Sequence, residues 1–101
     1  MSMLKVYIKI HSRNDIETVA CCDEHLLNQC YKEGKVKIEI SENFFGGHLI
    51  ALDEAIEILK NAQNFNIVGE NIINGAVLNK LLPEDGTRKI AGIPMAMKMM
   101  L

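Results

Sequence analysis

The stretch from Phe65 to Leu82, Phe-Asn-Ile-Val-Gly-Glu-Asn-Ile-Ile-Asn-Gly-Ala-Val-Leu-Asn-Lys-Leu-Leu, constrains the fold more than any other part of the chain. It opens with a short apolar run, Phe65, Ile67 and Val68, and changes period at Gly69. From there Val68, Ile72, Ile73, Ala76 and Val77 recur at helical spacing, while Glu70, Asn71 and Asn74 gather on the opposite side. Leu78, Leu81 and Leu82 make the last turn apolar most of the way round, so other elements are expected to cover this helix. Gly75 lies on the apolar side, where glycine costs about 1 kcal/mol relative to alanine. That placement predicts a close approach of another backbone.

The remaining segments supply what could cover it. Leu4, Val6, Ile8 and Ile10 alternate with Lys5, Tyr7 and Lys9, the period of a half-buried strand. Ser12-Arg13-Asn14-Asp15 is turn chemistry, and a second strand from Ile16 to about Cys21 completes a hairpin. Asp23 is a good N-cap, with Leu26, Leu27, Cys30 and Tyr31 on one helical face and Gly34 as the stop. Val36, Ile38 and Ile40 mark a third strand. Phe44-Phe45-Gly46-Gly47 makes a corner before a short strand at His48-Leu49-Ile50. A helix is expected from Asp53 to Ala62, burying Leu52, Ala55, Ile56, Leu59 and Ala62. After the central helix, Pro83-Glu84-Asp85-Gly86 is a turn. Arg88 to Met99 then reads as one strand, with Pro94 at an edge or bulge. Strands first, helices in the middle and a returning strand make an α+β fold: a two-layer sandwich, mostly antiparallel, with helices on one face.

A chain of 101 residues is expected to form a single domain. Eleven basic against thirteen acidic side chains, a net charge of -2, provide no global field favouring nucleic acid or membrane. No apolar run reaches the roughly 18 residues of a spanning helix, and the first residues lack the shape of a signal peptide. Cys21, Cys22 and Cys30 are odd in number with two adjacent, a poor disulfide framework that fits reduced thiols in a cytoplasm.

Several local strings occur together in order: Cys-Asp-Glu-His-Leu-Leu at Cys22–Leu27, Lys-Glu-Gly at Lys32–Gly34, and Ile-Ser-Glu-Asn-Phe-Phe-Gly-Gly at Ile40–Gly47. Asn-Ile-Val-Gly-Glu at Asn66–Glu70 and Ala-Gly-Ile-Pro at Ala91–Pro94 follow. With the Lys-Ile-His of the first strand, this set resembles the archaeal family named domain of unknown function 424, over nearly the whole chain. The resemblance implies an archaeal cytoplasmic protein and a two-layer sandwich, and it implies no activity. Where the family pattern reads Gly-Val-Pro-His-Ala-Gln, this chain has Gly92-Ile93-Pro94-Met95-Ala96-Met97. The missing imidazole argues against histidine-based catalysis at that position.

Cys22 is the one catalytic candidate, a thiol just before an expected helix start, where the dipole favours a thiolate. Asp23 and Glu24 oppose that, and a small buried hydrophobe is the simpler reading. Cys22, His25 and Cys30 have tempting metal spacing, but His25 falls about 140° round the axis from Cys30, so no metal site is expected. Gly69-Glu70 could open a phosphate-binding turn, although Glu70 would repel an anion. Phe45, with Phe44, could stack a ring at the corner. Met95, Met97 and Met99 share one strand face, which suits core packing or a homodimer contact better than Cu(I).

The outward face of the first strand, Lys5, Tyr7, Lys9 and His11, would join Lys35 and Lys37 if the first and third strands were neighbours. Lysines around a tyrosine on an open sheet are what single-stranded RNA requires, and a solvated face is the plain alternative. No Walker loop, dinucleotide fingerprint or zinc quartet occurs. The expectation is a non-catalytic binding module for RNA or a protein partner, with no cofactor and no membrane. The alternatives are a thiol-dependent protein using Cys22 and a scaffold that oligomerises through the methionine strand.

Overall fold

The computed structural model describes residues 4–83 and 85–100. Its frame is a six-stranded sheet in the order β5-β1-β2-β6-β8-β7. The first hairpin, β1 (Lys5–Arg13) and β2 (Ile16–Asp23), turns at Asn14 and Asp15. Both have positive φ, 53° and 65°, the geometry that matches a two-residue loop to right-twisted strands. The chain then leaves the sheet for twenty-odd residues and returns at the far edge as β5 (His48–Ala51), antiparallel to β1. After helix α2 (Leu52–Lys60), strand β6 (Phe65–Val68) lies parallel to β2. Helix α3 (Glu70–Leu78) follows at once, and the hairpin of β7 (Arg88–Ile90) with β8 (Ile93–Lys98) pairs antiparallel to β6. The fold is therefore α+β with a mostly antiparallel sheet.

Alternation divides the sheet into two faces. Val6, Ile8, Val19, Cys21, Phe65 and Ile67 point towards α2 and α3, meeting Ala55, Ile56, Leu59, Ile72, Ile73 and Ala76 in the main core. Burying such side chains contributes about 1.5–3 kcal/mol each for the larger ones. Leu4 and Ile10, expected in this core, lie past its ends and are exposed.

The opposite face is covered as well, by the segment between β2 and β5. It comprises a 3-10 turn (Glu24–Leu26), the hairpin of β3 (Cys30–Glu33) with β4 (Val36–Glu39), and the single turn α1 (Glu42–Phe45). Leu26, Ile40 and Phe45 from this segment pack on Ala20, Cys22 and Val68, with Tyr7 and Met95 at the margin. The helix expected from Asp23 to Gly34 is thus replaced by one 3-10 turn and a strand. Asn28, with φ of 67°, breaks any helical continuation, and Gly34, at 61°, turns β3 into β4.

Three further expectations change. Leu78 is 81% exposed, because α3 stops there; of the described leucines beyond it, Leu82 is the one that is buried. The neighbours of Gly75 are the side chains of Ile56 and Leu52, not a backbone. The close backbone approach occurs at Gly47, where a Cβ would collide with Ile8 Oand the Lys9 Cα. The C-terminal segment is a hairpin rather than one strand, bent at Ala91 and Gly92 with φ of 53° and 81°. Pro94 accordingly lies in β8, inside the sheet. Met1–Met3, Glu84 of the expected turn and Leu101 fall outside the described residues, although Gly86 N still donates to Pro83 O across that turn at 2.9 Å.

Candidate binding groove

Asp23 ends β2 fully buried, and its carboxylate does not cap the residues that follow it. It crosses to α3 instead: Asn71 N donates to Oδ2 at 2.8 Å and Ile72 N to Oδ1 at 2.9 Å. Two of the orphan donors at the start of α3 are thereby satisfied. Gly69, with φ of 121°, makes this possible, since a Cβ there would collide with the carboxyl group. Burial raises the Asp23 carboxyl above its ordinary range, while the two N–H donors pull the other way. The Gly69-Glu70 turn already holds the Asp23 carboxyl group, which occupies the place a phosphate would take.

Cys22 is wholly buried, and burial followed by the Asp23 charge pushes its thiol up to about 12. Burial raises Cys21 further still. Cys30, exposed on β3, stands apart from both, and among the described residues no cluster of metal-ligating side chains forms.

The lysine–tyrosine platform is not assembled. β1 lies in the six-stranded sheet, whereas Lys35 and Lys37 belong to the separate β3–β4 hairpin. Tyr7 is partly covered by the segment packed on its face. Lys9 Nζ donates to Asn43 O at 2.8 Å, strapping α1 down, and Lys5 is exposed near the start of β1. Phe45 is buried under α1.

The same covering segment creates a groove that the linear sequence does not announce. It shields only part of the face, and Phe44 forms the wall where its cover ends. The His11 ring stacks on Phe44 with centroids 4.7 Å apart and planes at 18°. Its Nε2 sits 2.8 Å from Phe44 O. A carbonyl only accepts, so this nitrogen carries hydrogen. On one side of Phe44 lies a cavity of about 400 Å³ lined by Phe45, Val68, Met95, Met97 and Arg88. On the other side a shallower cavity is lined by His11, Arg13, Ile16 and Thr18. Phe44 and Asn66 line both.

Arg13 and Arg88 are the chain's two arginines, and both line this groove. Neither is ion-paired among the described residues, nor does the Asn66 amide have a side-chain hydrogen bond there. Among the described residues, no acidic side chain lines either cavity, in a chain of net charge -2. The cleft on the other face at the β1–β2 turn differs, because there Arg13 is accompanied by Asp15 and Glu17.

Residues 10–101 match the family described as "Protein of unknown function (DUF424)". The chain belongs to this family. A solved structure with the same fold is the crystal structure of an uncharacterized conserved protein from Methanopyrus kandleri. It is 28% identical, with a TM-score of 0.80, and the match covers 92% of this chain and 89% of that one. No curated protein matches.

Two strings that carry the family resemblance meet at this groove. Phe44-Phe45 from the first forms the wall, and Asn66 and Val68 from the second help line the cavity. Sequence reasoning singled out Phe45 and the methionines and placed His11 on the outward face of β1. It passed over Asn66 and Arg88, and treated Arg13 only as part of a turn. Their shared location depends on β1, β6, β7 and β8 meeting in one sheet, which no local signal specifies. Among the described residues, no helix is long and apolar enough to cross a membrane.

Proposed function

We propose that this member of the DUF424 family is a non-catalytic binding module whose partner occupies the groove beside Phe44. The observation that carries this reading is an apolar cavity lined by Arg88, adjoining one lined by Arg13, with neither arginine ion-paired and no carboxylate in the lining among the described residues. Cavities of about this size, mostly apolar with a few convergent polar groups, are where proteins hold ligands. A thiol-dependent activity has less support, because the nucleophile would be a thiolate and Cys22 is buried with a raised pKa.

The test is affinity capture from native lysate with the parent protein and with Met97→Lys, each with and without ribonuclease. Met97 is 61% exposed at the groove, so the substitution should block the site while leaving the core intact. Material retained by the parent and lost by the variant is the expected result. Identical capture by both would overturn the groove. A light-scattering mass that rises with concentration for the parent alone would assign this face to a second copy of the chain.

A further inference from the structure

We infer that the occupant of this groove is single-stranded nucleic acid, an inference that rests on the binding-module reading and gives it a chemical class. Three properties of the site converge on that ligand. The first is charge: among the described residues both arginines line the groove without an ion-pair partner and no carboxylate lines it, Asp15 and Glu17 lying with Arg13 in the cleft on the other face. An anionic, extended ligand gains from this arrangement, and guanidinium groups match phosphate geometry.

The second is the apolar wall. Phe44 is stacked with His11 and edge-on to Phe45 at 4.9 Å, which fixes its ring at the boundary of the two cavities. Met95 and Met97 lie across from it in the 400 Å³ cavity. A planar base has a π-face for such walls, and stacking tolerates any sequence. The third is a hydrogen-bonding group at the centre, since the Asn66 amide can both donate to and accept from a base edge.

The spacing favours a polymer over a mononucleotide. Arg88 aligns across the sheet with Met95, Val68, Cys22 and Tyr7 in turn, and Arg13 lies six residues further along β1. At about 4.8 Å between strands and 3.3 Å per residue, the two arginine backbones stand roughly 28 Å apart on the diagonal. A single phosphate group does not bridge that distance; an extended strand of several nucleotides does. A duplex is too wide to lay its bases against Phe44, so single strands are the form that fits.

Fluorescence anisotropy with a labelled, unstructured single-stranded RNA of about a dozen nucleotides tests this directly. The expected result is saturable binding at low salt that weakens as salt rises. Arg13→Gln and Arg88→Gln should each lower the slope of log affinity against log salt by about 0.7. Phe44→Ala should weaken binding about 5–150-fold with little change of slope, the range for loss of one stacked base. Lys35→Gln with Lys37→Gln, outside the groove, should leave both cavities' contribution intact and serves as the control for non-specific charge. Thermal melting of every variant identifies any that fail to fold, and the exposed arginine variants carry the test if Phe44→Ala does not. Absence of saturable binding at low salt, or a slope moved by the lysine pair and not by the arginines, overturns the inference. If RNA does not bind while capture sensitive to Met97→Lys persists after ribonuclease, the nucleic-acid inference fails and the binding-module reading stands. If both are lost, both fail.

Discussion

Asp23 illustrates how one buried charge organises distant parts of the chain. Asp23→Ala would leave Asn71 N and Ile72 N without their acceptor, costing about 1–3 kcal/mol, read as a lower urea midpoint. The pH dependence has a definite sign. Burial raises the carboxyl above 3.8, so the folded state binds its proton more readily than the unfolded chain. The stability attached to that proton is fully present below 3.8 and lost as pH rises through the folded value. Compared with Asp23→Asn, which has no proton to exchange, the parent should gain unfolding free energy on acidification through that window. Urea titrations of both proteins at stepped pH measure the difference, and a flat or reversed trend would remove burial as the controlling effect. The cysteines give a second expectation. Iodoacetamide at neutral pH should modify exposed Cys30 in the folded protein and spare Cys21 and Cys22 until the chain unfolds, as followed by mass spectrometry.

Among the elements, the two tight hairpins differ in how well their residues suit their turns. Asn14-Asp15 tolerates left-handed backbone, whereas Ala91 adopts φ of 53° with no side-chain group to compensate. Ala91→Asn would create the Asn-Gly pair that a two-residue turn of this hand favours. It should raise stability by about 0.5–1 kcal/mol, visible as a higher melting temperature, because the left-handed cost falls. The Ala91 N–H donates to Glu33 Oε1 at 2.9 Å, a backbone donor that the substitution keeps. A variant no more stable than the parent would mean the β3–β4 hairpin, not the turn, sets this region's stability.

At the scale of the whole molecule, the sheet is packed on both faces over its middle and open at its ends. β2 and β6 are central and sandwiched between the two clusters, whereas β5 and β7 are edges. Native-state hydrogen exchange should therefore be slowest for amides of β2 and β6, approaching global unfolding, and fastest at β5 and β7. Equal protection across all six strands would show that the edges open only with the core. The covering segment between β2 and β5 matters most for function on this account. By covering only part of this face it leaves the sheet beside Phe44 open, with a wall against which the proposed ligand can rest.

Local pattern alone was enough to determine the first hairpin, the strand at Phe65–Val68, the helix after Gly69 and the α+β class, because period and turn chemistry act over a few residues. The stretch from Asp23 to Gly34 was misread because its capping and apolar signals are helical, while its outcome depends on remote partners. Asp23 was legible as an N-cap, but the helix it caps begins 47 residues later. Leu78 looked buried by type, yet which leucines are covered depends on where α3 ends and what packs beyond it. Phe45 and the methionines were legible as candidates; the groove itself was not, since Arg13, Asn66 and Arg88 are brought together only by strand order. Pairing between distant strands is decided by the burial of both sheet faces at once, a property of the assembled molecule that no window of the sequence contains.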